Sequence, residues 1–420
     1  MKSEVGPGHA EAKVQSCANQ DMINTLVVSV LCVTAGLLNI PVVILGLEVV
    51  TAIPLSKRRP VMRHGPRPRL AVLVPAHNES SGLLPTLGDI ERQLLPGDRL
   101  LVVADNCTDD TADVARARGA EVVERHDTTR VGKGYALDEG LQHLSLDPPD
   151  IVVIIDADCR IEVGTIEQLA LTCATTGRPA QAVNVVTSPT KSLVNHKVAE
   201  FAGRVKRWLR PLGLSVLGLP CQLTGTGMAF PFNVLRSANL TSGSITEDLK
   251  LGLELSLAGY SPVFCPSARV TSEFPSSEKG TRTQRKRWEQ GHIDMILKDA
   301  LRLVALAIAR YNWRLLALTL DFAVPPLSLL GILIAGMFAL TLLAVFFGLS
   351  SAPLIVITAT LLEFIAAIFL AWLICGRDLL PANSILSLVT YMTGKVGLYI
   401  QILSGKADAQ WDRTDRNKYE

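Results

Sequence analysis

The sequence predicts an α/β fold with a largely parallel sheet, attached to a membrane by apolar helices. Three observations carry that expectation. Short Val/Ile/Leu runs without polar alternation recur at 70–75, 99–105, 120–125 and 150–156, between helical patterns, as strands covered on both faces require. Acidic and hydroxyl residues follow directly on three of these runs, at the strand ends where open parallel sheets bind ligands. Hydrophobic residues make up 48% of the 420 and mean hydropathy is +0.31, high for a protein without membrane segments.

Taken in order, residues 1–23 form an N-terminal tail whose charges, Lys2, Glu4, Glu11, Lys13 and Asp21, nearly cancel. Residues 24–53 are almost uninterrupted apolar sequence. That run is too long for a signal-peptide core, lacks a small-residue cleavage site, and suits a transmembrane helix. Residues 54–69 are a basic linker carrying Lys57, Arg58, Arg59, Arg63, Arg67 and Arg69. By the positive-inside rule, the chain that follows is cytoplasmic. The eight cysteines form no CxxC pair and no Cys/His spacing suited to zinc, which fits reduced thiols in a cytosolic domain.

Residues 70–291 are that domain. Its first strand ends in PAHNES, its second in DNCTDDT and its fourth in DADC, which sets Asp105, Asp156 and Asp158 on one edge. Carboxylates there also serve as helix caps, a reading that suits DNCTDDT. Asp156 and Asp158, two apart on a departing loop, suit a shared divalent cation, which takes hard oxygen ligands. In RVGKGYAL (130–137) the glycines let backbone approach an anion, and Arg130 and Lys133 suit phosphate. In SGSITEDLKLGLEL, Thr246 precedes a helix and Glu247 and Asp248 fall in its first turn, where they favour the helix dipole. A general-base role for Asp248 requires that it lie near the reacting centre.

The stretch TQRKRWEQG (283–291) gathers three cations, a glutamine and a tryptophan. Such a run can mark nucleic-acid binding. The chain as a whole, however, balances 41 Lys plus Arg against 39 Asp plus Glu and lacks the positive field of a nucleic-acid binder. A local anion is the expected ligand.

Residues 292–314 place Asp294, Lys298 and Arg302 at four-residue spacing against Ile293, Ile296, Leu297, Leu301 and Val304, an amphipathic pattern for the membrane surface. Residues 315–404 form a C-terminal membrane region. Spans at 322–349 and 352–375 make a hairpin, and 383–403, interrupted by Lys395, reads as an interfacial or re-entrant helix. The tail 405–420 is then cytosolic. Glu363 lies midway along the second span, where an unpaired carboxylate is costly; a protonated or interhelically bonded structural acid is expected there, with Lys395 its partner if 383–403 enters the bilayer.

VPAHNES, DNCTDDT, IDADC, ITED and QRKRW occur in the order found in the family-two glycosyltransferases, the membrane-bound group that includes cellulose, hyaluronan and chitooligosaccharide synthases and ceramide glucosyltransferase. The chain resembles that family over about residues 70–291. The resemblance implies a GT-A (Rossmann-like) domain and a UDP-sugar donor. On the family's pattern Pro75, His77, Glu79 and Asp105 line the uridine pocket, and Lys133 approaches the diphosphate. Asp156 and Asp158 match the DxD motif, with Asp158 the direct Mg2+ or Mn2+ ligand. Asp248 matches the catalytic base and Glu247 lies beside it on the acceptor side. Gln284, Arg287 and Trp288 match QxxRW, Arg287 gripping the leaving diphosphate and Trp288 packing beside the acceptor sugar.

Direct attack of an acceptor hydroxyl would invert the anomeric centre. The segment CQLTGTGMAF (221–230) lacks the paired aromatics the family carries before its acceptor pocket. The resemblance further implies a bacterial exopolysaccharide enzyme of the inner membrane with a saccharide or lipid-linked acceptor, the alternative being a ceramide-type lipid glycosyltransferase. A glycosidase also uses paired acids but leaves the phosphate-directed cations without a role. A non-catalytic nucleotide-binding membrane protein would not need Asp248 or Trp288. A polymer-conducting pore needs several helices, so long polymer is expected only with partner proteins or as a homo-oligomer.

Overall fold

A 50-residue helix, α1 (Pro7–Ser56), opens the chain in a computed structural model that describes residues 7–58, 60–188, 194–241, 246–275, 278–381 and 385–404. Arg59, the first six residues, Asn383 and the tail 405–420 lie outside the described residues. Of α1, Asn19–Ser56 is long and apolar enough to cross a membrane.

The α/β domain runs β1 (Leu70–Ala76), α2 (Ser80–Glu91), β2 (Arg99–Asp105), α3 (Thr111–Ala117), β3 (Glu121–Arg125), α4 (Lys133–Leu144), β4 (Ile151–Ile154), β5 (Arg160–Ile161), α5 (Thr165–Thr176) and β6 (Ala180–Thr187). It continues through α6 (Val194–Arg204), a π-helical segment (Val205–Leu209), α7 (Arg210–Val216), β7 (Met228–Pro231), α8 (Phe232–Arg236), α9 (Glu247–Leu257) and β8 (Val263–Glu273). The strands form one sheet in the order β3-β2-β1-β4-β7-β6-β8-β5. The four runs expected as strands are β1 to β4, mutually parallel, with Pro75 opposite Val103 and Leu73 opposite Ile154. Two separate cores explain their unbroken apolar character: Leu70, Val72 and Val74 pack on one face, Ala71 and Leu73 on the other.

The sheet is largely parallel, as expected, with β6 parallel to β8, and its second half adds antiparallel pairings. β7 runs antiparallel between β4 and β6, and β5 is antiparallel to β8. A two-residue strand carries no periodic signal, and β6 and β8 mix polar residues into their runs.

Beyond the sheet lie α10 (Glu278–Ala309), α11 (Trp313–Ala323), α12 (Leu327–Phe346), α13 (Ala352–Cys375) and α14 (Ile385–Leu403). Helix α10 runs through residues 291 and 292, carrying both QRKRW and the amphipathic stretch as one helix. It packs Met295, Leu303 and Ala307 against Leu249, Leu253 and Phe322, while Leu297 and Leu301 stay open to the outside. The first expected C-terminal span starts later than 322, because Phe322 belongs to α11 and Pro325 and Pro326 separate it from α12. Among the described residues three helices are long and apolar enough to cross a membrane: α1 over Asn19–Ser56, α12 and α13.

The expected pairing of Glu363 with Lys395 is corrected by the structure. Asn39 of α1 donates to Glu363 Oε2 at 2.8 Å and to Thr360 Oγ1 at 3.2 Å, because that face of α13 packs on α1. Lys395 turns instead to Glu289 of α10.

Candidate active site

Strand β4 stops at Ile154, and the chain leaving it carries Asp156, Asp158 and Cys159, whose ligand-capable atoms lie within 4.8 Å of one another. The Asp156 backbone N–H donates to Thr226 Oγ1 at 3.0 Å, and its carboxylate is paired with Lys133. Lys133 also donates to the Gly225 carbonyl at 2.5 Å. Gly225 and Gly227 both have positive φ, and a Cβ on Gly225 would stand 3.5 Å from Asp248 Oδ2. Small residues before β7 thus let the backbone reach the ammonium. Burial works against the Lys133 charge, but Asp156, Glu247 and Asp248 outweigh it and raise its pKa. Burial, with Asp158 and Asp156 adding to it, pushes the Cys159 thiol far up. It stays protonated and is a poor ligand, leaving a hard oxygen pair suited to Mg2+ or Mn2+.

Thr246 occupies the N-cap position of α9, and Glu247 and Asp248 fill its first turn. Asp248 Oδ1 accepts the Leu249 N–H at 2.8 Å. Burial raises both carboxyl pKa values; for Glu247 the neighbouring Asp248 adds to the rise, while for Asp248 the Leu249 N–H and the charges of Lys133, Lys206 and Arg207 oppose it.

Facing these acids across a cleft of about 640 Å³ are Gln284, Arg287, Trp288 and His292 of α10, with Lys206 and Arg207 of the π-helical segment. The Arg207 guanidinium lies over the Trp288 ring, 4.8 Å from its centroid. His292 Nε2 lies 2.8 Å from the Phe322 carbonyl and must donate to it. Its Nδ1 then accepts from Lys206 Nζ at 3.4 Å. Burial holds the His292 pKa well below its ordinary value, and burial with the charges of Arg207 and Arg210 lowers Lys206 to about 8.

The residues singled out from sequence thus fall into two groups. Lys133, Asp156, Asp158, Glu247, Asp248, Gln284, Arg287 and Trp288 all line the one cleft. Pro75, His77, Glu79 and Asp105 gather at the ends of β1 and β2 outside its lining. There His77 Nδ1 lies 2.6 Å from the Asp105 carbonyl and the Glu79 N–H donates to Thr111 Oγ1 at 2.9 Å. Arg125 joins the groups: it pairs with Asp105 at 2.6 Å, donates to the Arg130 carbonyl at 2.7 Å, and lies over Tyr135 of the cleft wall. The cation run splits as well, since Arg287 lines the cleft while Arg285 bonds Tyr391 of α14. Sequence reasoning missed Lys206, Arg207 and His292. The run VKRWLR at 205–210 repeats the cue of QRKRW, cations beside a tryptophan.

The family model described as "Glycosyltransferase like family 2" matches residues 66–291, more than half of the chain. The probable glycosyltransferase YdaM of Bacillus subtilis is 25% identical over 55% of this chain and 57% of its own length. A poly-beta-1,6-N-acetyl-D-glucosamine synthase of Staphylococcus epidermidis is 25% identical over 55% and 56%. A probable glucomannan 4-beta-mannosyltransferase of Arabidopsis thaliana is 26% identical over 57% and 46%. The chain spans about half the length of these curated relatives. Among solved structures, a mannosyltransferase from Pyrobaculum calidifontis in complex with GDP-Man and Mn2+ superposes with TM-score 0.50 at 18% identity, over 88% of this chain and 100% of that one. This is a likeness of fold.

Proposed function

The chain belongs to the glycosyltransferase-like family 2 and carries a GT-A-type α/β domain, and on that premise we propose that it is a membrane-bound, inverting enzyme that moves a sugar from a UDP-sugar to a saccharide or lipid-linked acceptor. The observation that carries the proposal is the convergence of Asp156, Asp158, Asp248 and Arg287, from three separate segments, on one cleft. In this reading Asp158 and Asp156 hold Mg2+ or Mn2+, which when bound neutralises charge on the donor diphosphate. Mn2+ accompanies the nucleotide sugar in the Pyrobaculum mannosyltransferase, in keeping with that assignment.

The chain's own groups do the rest. Asp248 takes the proton from the acceptor hydroxyl as its oxygen attacks the anomeric carbon. Lys133 and Arg287 stabilise the diphosphate that leaves with the electron pair. Trp288 and Gln284 form the acceptor wall, and Pro75, His77, Glu79 and Asp105 read the base. In this reading the domain lies on the cytoplasmic side of a bacterial inner membrane, which the basic linker after α1 favours, and acts in exopolysaccharide synthesis, supported by the likeness to a Staphylococcus protein named as a poly-beta-1,6-N-acetyl-D-glucosamine synthase.

The test is nucleotide release from purified protein in membranes across a panel of UDP-sugars, with GDP-mannose included, with and without Mn2+. Metal-dependent release from one UDP-sugar is expected. Release from GDP-mannose alone would overturn the uridine assignment, and no release from any donor would overturn the reading as a whole.

A further inference from the structure

Three cations, Arg210 buried and Lys206 and Arg207 half-buried, sit within five residues on the π-helical segment and the start of α7, and the fold treats them differently. Arg210 receives two carboxylates: it is paired with Glu48 of α1 and bonds Asp321 of α11 at 2.6 Å. Asp321 is held in turn by Gln222 at 2.8 Å. That is how a buried guanidinium is satisfied when its role is structural. Lys206 and Arg207 face the cleft, and among the described residues neither forms an ion pair. At contact distance Lys206 meets the neutral ring of His292 and Arg207 the face of Trp288, while Asp248 attracts both without an ion pair.

A cation drawn out of water without a paired carboxylate is costly. Lys206 shows the strain, since burial and the neighbouring charges of Arg207 and Arg210 depress its pKa to about 8. The cations are also presented by the π-helical segment itself. Such insertions cost helix geometry and recur at functional sites. The other side of the segment packs Val205 and Leu209 on Leu45 and Val49 of α1 and on Ala367 and Ala371 of α13. The two charges therefore stand where the catalytic cleft meets the membrane helices, across from Asp248.

We infer that Lys206 and Arg207 form a subsite for a phosphate or phosphodiester group carried by the acceptor, holding that group while the acceptor's hydroxyl faces Asp248. The inference rests on the glycosyltransferase reading above and names the acceptor class. In the transfer step the acceptor oxygen bonds to the anomeric carbon and its proton passes to the Asp248 carboxylate. The bond from that carbon to the diphosphate oxygen breaks, the electron pair leaving with UDP. The acceptor phosphate is unchanged and serves only as a handle. Its position beside α1 and α13 favours a lipid-borne phosphate over a soluble one.

The experiment uses the full chain in neutral-lipid nanodiscs with the UDP-sugar found active, and three acceptor probes bearing one sugar: linked to a polyprenyl diphosphate, linked to an uncharged alkyl chain, and as a soluble monophosphate. Loss of charge-assisted hydrogen bonds should raise KM for the polyprenyl diphosphate probe roughly 10- to 100-fold more than KM for the alkyl probe in Lys206→Gln and in Arg207→Gln. UDP affinity should stay at the wild-type value, which also reports that the variants fold, and Arg207→Lys should recover part of the loss. A preference for the soluble monophosphate that the same variants erase supports the phosphate subsite with a soluble source. Wild-type turnover indifferent to phosphate overturns the inference and leaves the glycosyltransferase reading standing. Lost UDP affinity in either variant overturns it too, by assigning the cations to the donor. Absence of turnover with any donor and any probe sinks both readings together.

Discussion

Lys395 of α14 is ion-paired with Glu289 of α10, the residue that follows Trp288. Two further bonds run between the same helices: Tyr399 donates to Glu289 Oε2 at 2.9 Å, and Arg285 bonds the Tyr391 hydroxyl. Side chains of α14 therefore fix the rotation and height of the helix that presents Arg287 and Trp288 to the cleft. The connection bridges 106 residues of sequence.

Both partners are largely buried, at 12% and 16% exposure, so deleting one strands a charge at a cost of about 3–5 kcal/mol. Lys395→Met is expected to lower both thermal stability and transfer rate. Pairing it with Glu289→Gln should recover much of both losses, while Glu363→Gln should simply add to it. A double-mutant cycle on melting temperature and UDP release measures this. Additivity for Glu289 and Lys395 would remove the pair from any positioning role.

How far the molecule was legible follows from where its information lies. The parallel half of the sheet could be read because buried strands need unbroken apolar runs and β1 to β4 have them. The cleft residues could be read because Asp156, Asp248 and Arg287 sit in short, chemically dense motifs. β5, with two residues, offers nothing to read. Lys206 and Arg207 lie in a segment whose function depends on which carboxylates fail to meet it, and that is a tertiary fact. The partner of Lys395 is hidden for the same reason: charge suggests that a partner exists, and only packing selects Glu289 over Glu363.

Chelation should abolish nucleotide release, and Mn2+ or Mg2+ should restore it. Lys133 is already paired with Asp156, and Asp158 is the direct metal ligand in the proposed reading. Asp158→Asn is expected to raise the Mn2+ needed for half-maximal rate by at least about tenfold, since even residues that only orient metal ligands cost that much. Titrating Mn2+ against UDP release compares the variants. An Asp158→Asn enzyme with wild-type metal dependence would contradict the assignment.

Orientation is testable without activity. Lys57, Arg58, Arg63, Arg67 and Arg69 follow α1 directly, and their charge should keep residues 70–291 on the cytoplasmic side. Cysteine-labelling or protease accessibility in inside-out bacterial vesicles should find this domain exposed. Protection of the domain in such vesicles would invert the topology.

The pH response carries two opposite signs. Asp248 acts as a base only when deprotonated, and Asp248→Asn should cut transfer by about 10²- to 10⁴-fold while UDP binding persists. Burial raises the Asp248 pKa, whereas the charges of Lys133, Lys206 and Arg207 oppose that rise. The acid limb of the rate profile should therefore lie above the range of an ordinary carboxylate, with activity increasing as pH rises through it. Glu247→Gln removes a neighbouring negative charge and should shift the limb to lower pH; Arg207→Gln removes an opposing positive charge and should shift it higher. Stability moves the other way. Glu247 titrates at about 7 in the folded chain, above its unfolded value, so its contribution is fully present below the unfolded pKa and is lost as pH rises through about 7. Thermal unfolding of Glu247→Gln relative to wild type should accordingly gain ground between about pH 4 and pH 8, the interval that brackets both values. Limbs that move in the same direction in the two variants would show that Asp248 does not set the profile.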